Sequence, residues 1–259
     1  MFFHIGFLAN IYINIFNKIE MKKKTCVVIP CYKVRHRILN VLSNKHLSII
    51  DKIILVDDKC PQNTGLFLKG KLKSNKYKIL MNRNNLGVGG ATITGFKYAL
   101  KKRFDVIIKI DGDGQHNIKI LSKFLVGFNQ NKFDFCKGYR SLENKSKTKN
   151  KMPTLRFWGA KVLEFLVRLN SGNWNIKDPC HGLIAFNSKI LMKINLDKIK
   201  RNYFFEQDII MNVVRLKGRI KQFNNEVIYG DEISNLNPIK SIFPFLFYHF
   251  LHFFKKVLN

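Results

Sequence analysis

Two carboxylates separated by one glycine form the chemically most suggestive feature of this sequence. Asp111 and Asp113 flank Gly112, and Gly114 follows directly. In an extended segment, alternate residues project to the same side, so both carboxylates can face one ligand. The two glycines let the backbone turn tightly beside that ligand. Such paired oxygens suit Mg²⁺ or Mn²⁺ shared with substrate phosphates, and the alternative is a solvated acidic turn without a ligand.

Further candidate residues lie in the second half of the sequence. Glu206 and Asp208 stand early in a helical pattern, where they could act as a base or orient an acceptor. They could equally well only complement the helix dipole. Arg140 and His181 could hold phosphate oxygens, because the planar guanidinium of arginine matches them, or could simply be solvated.

A glycine-rich stretch over residues 84–90 invites comparison with phosphate-binding loops. It has no Gly-Lys-Ser/Thr ending, which argues against a Walker loop. We expect these glycines to let a helix begin close to a bound donor or to the sheet.

The elements that must position these residues follow an alternating pattern. We predict strands over residues 25–30, 51–56, 77–81 and 105–110, and helices over 87–103 and 118–129. Alternating strands and helices indicate a mainly parallel sheet. Ligands of such sheets lie beyond the carboxyl ends of the strands. Polar candidates follow three of the predicted strands: Tyr32, Asp57, Asp58, Asp111 and Asp113.

The second half is predicted to continue the same domain without an internal repeat or linker. We expect a strand over residues 133–140, a mobile loop over 141–151 and a helix over 154–169. A turn over 178–182 then leads into a strand over 183–186, and a helix follows over 204–216.

Composition limits the possible classes of protein. The 259 residues carry a formal net charge of +29, and 46% of them are hydrophobic, which fits a globular domain. The charge favours an anionic partner such as a membrane surface or a phosphorylated substrate, or reflects the Lys-, Asn- and Ile-rich coding of an AT-rich genome. Five cysteines without CxxC spacing argue against a disulfide framework and a zinc site, and they suggest a reducing compartment.

Both termini are apolar but unsuited to crossing a membrane. Residues 1–20 are interrupted by polar residues and precede Met21, so they form an N-terminal extension from an upstream start or an interfacial helix. Residues 242–258 hold seven Phe or Tyr residues and end near Lys255 and Lys256. We expect an amphipathic C-terminal helix over 239–259, which lies in the membrane interface or packs on the domain.

An ordered set of short motifs resembles the family 2 glycosyltransferases of the GT-A fold, and in particular the dolichyl-phosphate mannose synthase-like branch. The resemblance covers about residues 24 to 235, and it is specific because the motifs occur in order. The matching segments are Val28-Ile29-Pro30-Cys31-Tyr32, Val56-Asp57-Asp58, Asn85-Leu86-Gly87 with Gly95, Asp111-Gly112-Asp113-Gly114-Gln115-His116, Gly138-Tyr139-Arg140, Asp178-Pro179-Cys180-His181-Gly182 and Phe204-Phe205-Glu206-Gln207-Asp208. Tyr229-Gly230-Asp231-Glu232 with Ser234 looks like a bacterial subgroup.

The resemblance implies an α/β GT-A domain over residues 21–238, with a Rossmann-like, mainly parallel central sheet flanked by helices. It also implies a role for each matching residue. The donor nucleotide would be bound by Pro30, Tyr32, Asp57, Asp58, Asn85, Gly87 and Asp111. Mg²⁺ or Mn²⁺ would be held by Asp111, Asp113 and Gln115, phosphate or acceptor by Arg140, Asp178 and His181, and Glu206 or Asp208 would be the catalytic carboxylate.

The implied activity is inverting, metal-dependent transfer of a single hexose or related sugar from a GDP- or UDP-sugar to a polyprenyl phosphate or glycan. Such an enzyme would serve polysaccharide or glycolipid biosynthesis at the cytoplasmic face of the membrane, with peripheral membrane contact and no nucleic acid partner. Lys33 departs from the family's usual Asn, and Asp58-Lys59-Cys60-Pro61 replaces Asp-Gly-Ser, which leaves the base open. The Gln-x-x-Arg-Trp motif is absent, which argues against a processive synthase.

Two other functions compete with this interpretation. A sugar nucleotidyltransferase could share the sheet and the carboxylate pair, but it would release pyrophosphate and typically needs a basic glycine-rich loop after the first strand. A non-catalytic basic protein would bind any polyanion or membrane in a salt-dependent way. It would leave the acidic turn unexplained.

Overall fold

The computed structural model describes residues 23–140, 154–225 and 247–250, with only the backbone of 154–157. The predicted N-terminal extension, the loop over 141–151 and most of the predicted C-terminal helix lie outside the described residues. So does the Tyr229 to Ser234 motif. Within residues 247–250 the chain is helical.

Among the described residues, seven strands form one sheet in the order β3-β2-β1-β4-β6-β5-β7. Their bounds are β1 (Thr25–Cys31), β2 (Lys52–Asp57), β3 (Tyr77–Met81), β4 (Val106–Lys109), β5 (Phe135–Tyr139), β6 (Ile184–Asn187) and β7 (Ile220–Asn224). The central strand β1 reads TCVVIPC and is buried along its whole length. Such an uninterrupted apolar run is expected when helices cover both faces of a parallel sheet.

One strand of the sheet is antiparallel to its neighbours, and its direction determines which turns meet at the candidate site. Strand β6 pairs antiparallel with both β4 and β5, whereas β1–β2, β2–β3, β1–β4 and β5–β7 are parallel. Lys109 at the end of β4 is therefore opposite Ile184 at the start of β6. As a result, the turn at residues 178–182, which precedes β6, meets the acidic turn that follows β4.

Helices cover both faces of the sheet. They are α1 (Ile38–Leu42), α2 (Thr64–Lys71), α3 (Gly87–Lys101), α4 (Leu121–Asn129), α5 (Thr154–Ser171), α6 (Ser188–Leu191) and α7 (Phe205–Arg215). Two apolar cores result because alternate residues of each strand face opposite sides: Val28 packs into one core and Val27 into the other. Helix α3 lies close on β1, since a side chain at Gly95 would overlap Val28.

The predicted fold class is confirmed, and most predicted elements occur within a few residues of their expected bounds. Four elements were not predicted: the helices α1, α2 and α6 and the strand β7. Strand β7 lies at the edge of the sheet and has only half-buried and exposed residues, so it carries only a weak apolar pattern. All five cysteines are free in the structure. Among the described residues, none of the helices combines the length and the apolar character that a membrane crossing requires.

Candidate active site

A buried lysine joins the acidic turn to helix α7. Lys109 ends β4, is 1% exposed, and donates to Asp111 Oδ1 at 2.7 Å and to Glu206 Oε1 at 2.9 Å. Burial alone would lower the pKa of Lys109, but the two carboxylates hold it above its usual range. Lys109 therefore remains charged and fixes the distance between the two acidic segments.

Asp111 is held on both of its oxygens. His116 Nε2 donates to Asp111 Oδ2 at 2.8 Å, opposite the bond from Lys109. Burial opposes ionisation of Asp111, but the charge of Lys109 and the hydrogen bond from His116 keep its pKa well below the usual range. Gly182 closes the arrangement, because a side chain there would overlap the Asp111 carboxylate and come within 2.8 Å of Lys109 Nζ. The turn before β6 can thus cover Asp111 only with glycine at this position.

Asp113 lies beside a cavity of about 310 Å³. The amide of Gln115 donates to Asp113 Oδ1 at 3.0 Å, which orients the carboxylate within the acidic turn. The residues that line the cavity include Arg37, Asn40, Asp111, Asp113 and His116. The cavity is therefore polar and carries both signs of charge.

The two carboxylates offer an incomplete set of metal ligands. Within residues 23–140, 154–225 and 247–250, no group of three or more His, Cys, Asp or Glu side chains is arranged to hold a metal ion. Mg²⁺ usually takes one or two carboxylates and completes its shell with water and substrate phosphates. Asp111 and Asp113 fit a divalent cation of this shared kind, and they do not fit a closed structural site.

A second charged cluster surrounds Asp178. Arg140 donates through Nε and Nη2 to the two Asp178 oxygens, both at 2.7 Å, and the amide of Asp178 donates to Glu164 Oε2 of α5 at 2.9 Å. Burial opposes ionisation of Asp178, but Arg140 and Lys137 hold its pKa below the usual range. Asp178 also adopts a positive φ of 41°, which other parts of the structure must stabilise.

Lys137 supplies part of that stabilisation. Its fully buried ammonium donates to the carbonyls of Gly138, Lys177 and Asp178 at 2.6, 2.8 and 2.9 Å. Burial lowers the pKa of Lys137 to about 8, although Asp178 raises it in part. Sequence reasoning missed this residue. The available signal was a lysine within an otherwise apolar buried strand, which is the same signal that Lys109 gives.

Two histidines connect the two clusters. The rings of His116 and His181 lie 5.0 Å apart, and His181 Nδ1 accepts from the amide of Leu183 at 3.2 Å. That bond places the proton of a neutral His181 on Nε2, which has no partner among the described residues. Burial and the charge of His116 hold the pKa of His181 well below its usual range. A neutral His181 is therefore a buried hydrogen-bond donor through Nε2.

The two acidic residues of α7 are separated by the structure. Glu206 joins the active-site cluster through Lys109. Asp208 instead accepts from the amide of Lys200 at 2.9 Å and from Asn212 Nδ2 at 3.3 Å. Asp208 thus braces the segment before α7, and only Glu206 contacts the residues around Asp111. The assignment of a catalytic carboxylate to either residue stays a prediction.

Comparison with known proteins identifies the family. The family model described as "Glycosyl transferase family 2" matches residues 26–194. The chain is a family 2 glycosyltransferase. It is 30% identical over 187 residues to UDP-N-acetylglucosamine–dolichyl-phosphate N-acetylglucosaminyltransferase of Methanococcus voltae, covering 67% of this chain and 73% of the relative. It is 29% identical over 170 residues to undecaprenyl-phosphate mannosyltransferase of Micrococcus luteus, covering 65% and 68%.

Solved structures support the same fold. Glucosyl-3-phosphoglycerate synthase from Mycobacterium tuberculosis, solved with Mn²⁺, uridine diphosphate and glucosyl-3-phosphoglycerate, superposes with a TM-score of 0.63. The match covers 88% of this glycosyltransferase and 80% of that chain at 13% identity, so it bears on the fold alone. The predicted GT-A architecture and the prediction of an enzyme of this family are confirmed.

The acidic residues predicted to bind the donor nucleotide of this glycosyltransferase are largely engaged with the protein. Asp57 accepts from the amides of Cys60, at 2.7 Å, and Gly65, whereas Asp58 accepts from Asn82 Nδ2 at 2.7 Å and from the amide of Leu86 at 3.0 Å. Both carboxylates are buried and hold the loops around β2 in place. Their role in nucleotide binding stays a prediction.

The other predicted donor residues lie at the same end of the sheet. Pro30 pairs with Val56 near the end of β1, and Tyr32 follows with its ring exposed. Asn85 Oδ1 accepts from the amide of Gly87 at 3.0 Å, which shapes the start of α3.

The glycine-rich start of α3 approaches the segment that leads into α7. The amide of Gly89 donates to the carbonyl of Arg201 at 2.9 Å, and a side chain at Gly87 or Gly89 would come within 2.9 Å of that oxygen. Gly87 and Gly89 thus approach the carbonyl of Arg201, and their approach to a bound donor stays a prediction. They admit the backbone of the segment that leads into α7.

Proposed function

We propose that this glycosyltransferase moves a single hexose or related sugar, with inversion, from a UDP- or GDP-sugar to a polyprenyl phosphate, with Mg²⁺ or Mn²⁺ as cofactor. Two relatives with named activities, the N-acetylglucosaminyltransferase of Methanococcus voltae and the mannosyltransferase of Micrococcus luteus, are named for dolichyl and undecaprenyl phosphate acceptors. The first is also named for a UDP-sugar donor.

The engagement of the acidic residues on α7 is the observation that carries the choice of acceptor. A sugar hydroxyl must lose a proton as it attacks, and it therefore needs a nearby carboxylate base. Glu206 Oε1 accepts from the ammonium of Lys109, and Asp208 braces a backbone segment. A phosphate acceptor is already anionic and needs no base, so these bonds favour polyprenyl phosphate over a glycan.

In the proposed reaction, an oxygen of the acceptor phosphate forms a bond to the anomeric carbon from the face opposite the nucleotide. The bond between that carbon and the diphosphate breaks, and the nucleoside diphosphate leaves with the electron pair. His181 Nε2 offers a neutral hydrogen bond to a phosphate oxygen, and Arg140 supplies positive charge beside it. Lys109 bridges Asp111 and Glu206 by donating to both carboxylates.

Asp111 and Asp113, with Gln115 in the same turn, would hold the divalent cation together with the donor diphosphate. When bound, the cation supplies positive charge to the leaving diphosphate. Nucleotide contacts are assigned to Pro30, Tyr32, Asp57, Asp58, Asn85 and Gly87. A lipid-linked acceptor also requires contact with the membrane, which we place at the cytoplasmic face, where nucleotide sugars are available.

The test is transfer from radiolabelled UDP- and GDP-sugars to a polyprenyl phosphate, with and without a chelator. We expect a nucleoside diphosphate and an acid-labile lipid-linked sugar, and loss of both on chelation or in Asp113→Asn. Asp197→Asn is the matched control, because Asp197 is exposed and its carboxylate pairs with Lys97. Pyrophosphate as product would identify a nucleotidyltransferase, and transfer only to free glycans would overturn the acceptor. Full activity of Asp113→Asn would overturn the metal assignment.

A further inference from the structure

Helix α5 presents two different faces. Its buried face carries Glu164, which accepts from the amide of Asp178 and from Arg168 Nη2 at 2.7 Å, and Val167, which packs into the core. This face therefore helps to build the acceptor side of the site. The opposite face is apolar and exposed.

We name this exposed surface the aromatic face and define it as Trp158, Val162, Phe165 and Trp174. The first three are spaced by four and three positions, so they form one stripe along α5. Trp174, in the turn after α5, places its ring 6.0 Å from that of Phe165 and extends the stripe. The exposed fractions are 62% for Trp158, 53% for Phe165 and 57% for Trp174. Both tryptophans of the chain lie on this one surface.

The segment at residues 247–250 adds exposed rings near the end of α5. Asn170 Nδ2 donates to His249 Nδ1 at 2.8 Å and to its carbonyl at 3.1 Å, which fixes the segment on the helix. His249 and Tyr248 are buried, whereas Phe247 and Phe250 are exposed. The apolar surface around α5 thus exceeds the four residues of the aromatic face.

Basic side chains accompany this surface. Lys161 stands within the stripe with its side chain 43% exposed, and Lys177 follows Trp174. The whole chain carries a formal net charge of +29, so an approaching anionic surface is attracted. Tryptophan rings above an apolar helix face, with lysines beside them, match the composition of a membrane interface.

We propose that the aromatic face lies in the interfacial region of an anionic lipid bilayer, with α5 parallel to the membrane plane. This inference rests on the proposed function, because a polyprenyl phosphate presents its headgroup at that depth. The buried face of the same helix holds Asp178 through Glu164, so the acceptor side of the site lies directly behind the bilayer-bound face. A headgroup would have to cross about one helix diameter, roughly 10 Å, to reach Arg140.

The two tryptophans provide a direct readout. The full-length protein is mixed with vesicles of phosphatidylcholine and phosphatidylglycerol at a ratio of about 7:3. We expect the tryptophan emission to shift to shorter wavelength and to be quenched by lipids brominated near the headgroup. Trp158→Phe and Trp174→Phe, examined separately, should each leave a quenched reporter.

The decisive comparison uses Val162→Ser/Phe165→Ser, which keeps both reporters. We expect its partition onto the vesicles to fall at least tenfold. Val126→Ser/Met192→Ser is the matched control, because Val126 and Met192 are exposed apolar residues elsewhere, and it should partition as the parent does. Equal thermal midpoints and circular dichroism establish that both double variants are folded.

Several results would overturn the proposal. One is parent protein whose tryptophan emission is not quenched by the brominated lipids. The others are equal partition of the two double variants and equal binding to vesicles without phosphatidylglycerol. Parent dimers that dissociate only in Val162→Ser/Phe165→Ser would show that a second copy covers the face. Transfer to a short, water-soluble polyprenyl phosphate separates this proposal from the proposed function. That transfer should survive in Val162→Ser/Phe165→Ser, and its absence in the parent would refute the function while the vesicle result stands alone.

Discussion

The buried ammonium of Lys137 should make the stability of this protein depend on pH in the alkaline range. Replacing Lys137 with methionine removes the charge while keeping a long side chain of similar shape. The wild-type group has a pKa of about 8 in the folded protein against an ordinary value of 10.5. Between these two values the unfolded chain binds more protons than the folded protein, so the free energy of unfolding rises with pH.

The size of the effect follows from the difference between the two pKa values. Integrated from pH 7 to pH 10, this single group should add about 2.5 kcal/mol to wild-type stability. The variant lacks the group, so its disadvantage relative to wild type should grow by that amount. Below pH 8 the bonds from Lys137 to three carbonyls are offset by the cost of burying the charge.

The assay is urea unfolding of both proteins at closely spaced pH values between 7 and 10. The difference in the free energy of unfolding between wild type and variant is compared at each pH. This difference cancels the contribution of the tyrosines and cysteines that titrate in the same range. Lys221→Met is the matched control, because Lys221 is exposed on β7 opposite Cys136, and its difference should stay flat. If the free energy of unfolding lost in Lys137→Met changes by less than about 0.5 kcal/mol between pH 7 and pH 10, or becomes smaller as the pH rises, the reasoning is refuted.

Two further substitutions test the two clusters. Gly182→Ala should displace Asp111, so that the same rise in thermal midpoint requires at least tenfold more nucleoside diphosphate in the presence of Mn²⁺. Gly70→Ala is the control and should leave this ligand response unchanged, because a methyl group there meets nothing within 4 Å. A Gly182→Ala protein with wild-type ligand response would show that the overlap is relieved without cost. Arg140→Lys should raise the KM for polyprenyl phosphate roughly tenfold, because lysine cannot form the paired bonds to Asp178. Arg219→Lys, which loses the exposed ion pair with Asp134, should leave the KM unchanged. Equal KM values for the two variants would contradict this role of Arg140.

Much of the fold was accessible from the sequence because its signals are local. Strand β1 is an unbroken apolar run that ends at Pro30 and Cys31, and β4 leads directly into the acidic turn. Runs of this kind report burial on both faces of a sheet without any knowledge of the partners. Strand β7 gave no comparable signal, because half of its surface faces solvent at the edge of the sheet.

The candidate site was less accessible because it depends on long-range pairing. The sequence indicated that Asp111 and Glu206 belong to one site, through the order of the motifs. It could not indicate that Lys109 bridges them, since that bond requires α7 to lie across the end of β4. Similarly, nothing local distinguishes Asp208, which braces a backbone segment, from Glu206, two positions earlier.

The antiparallel insertion of β6 between β4 and β5 has a consequence for how the protein acquires its shape during synthesis. Strands β1 to β4 emerge first and can pair among themselves, yet Asp111 remains uncovered until Gly182 and β6 arrive. Pairing between segments so far apart in the chain closes a large loop and is slow. A ribosome-bound fragment that stops before residue 182 would therefore contain strands β1 to β4 and still lack the turn that covers Asp111.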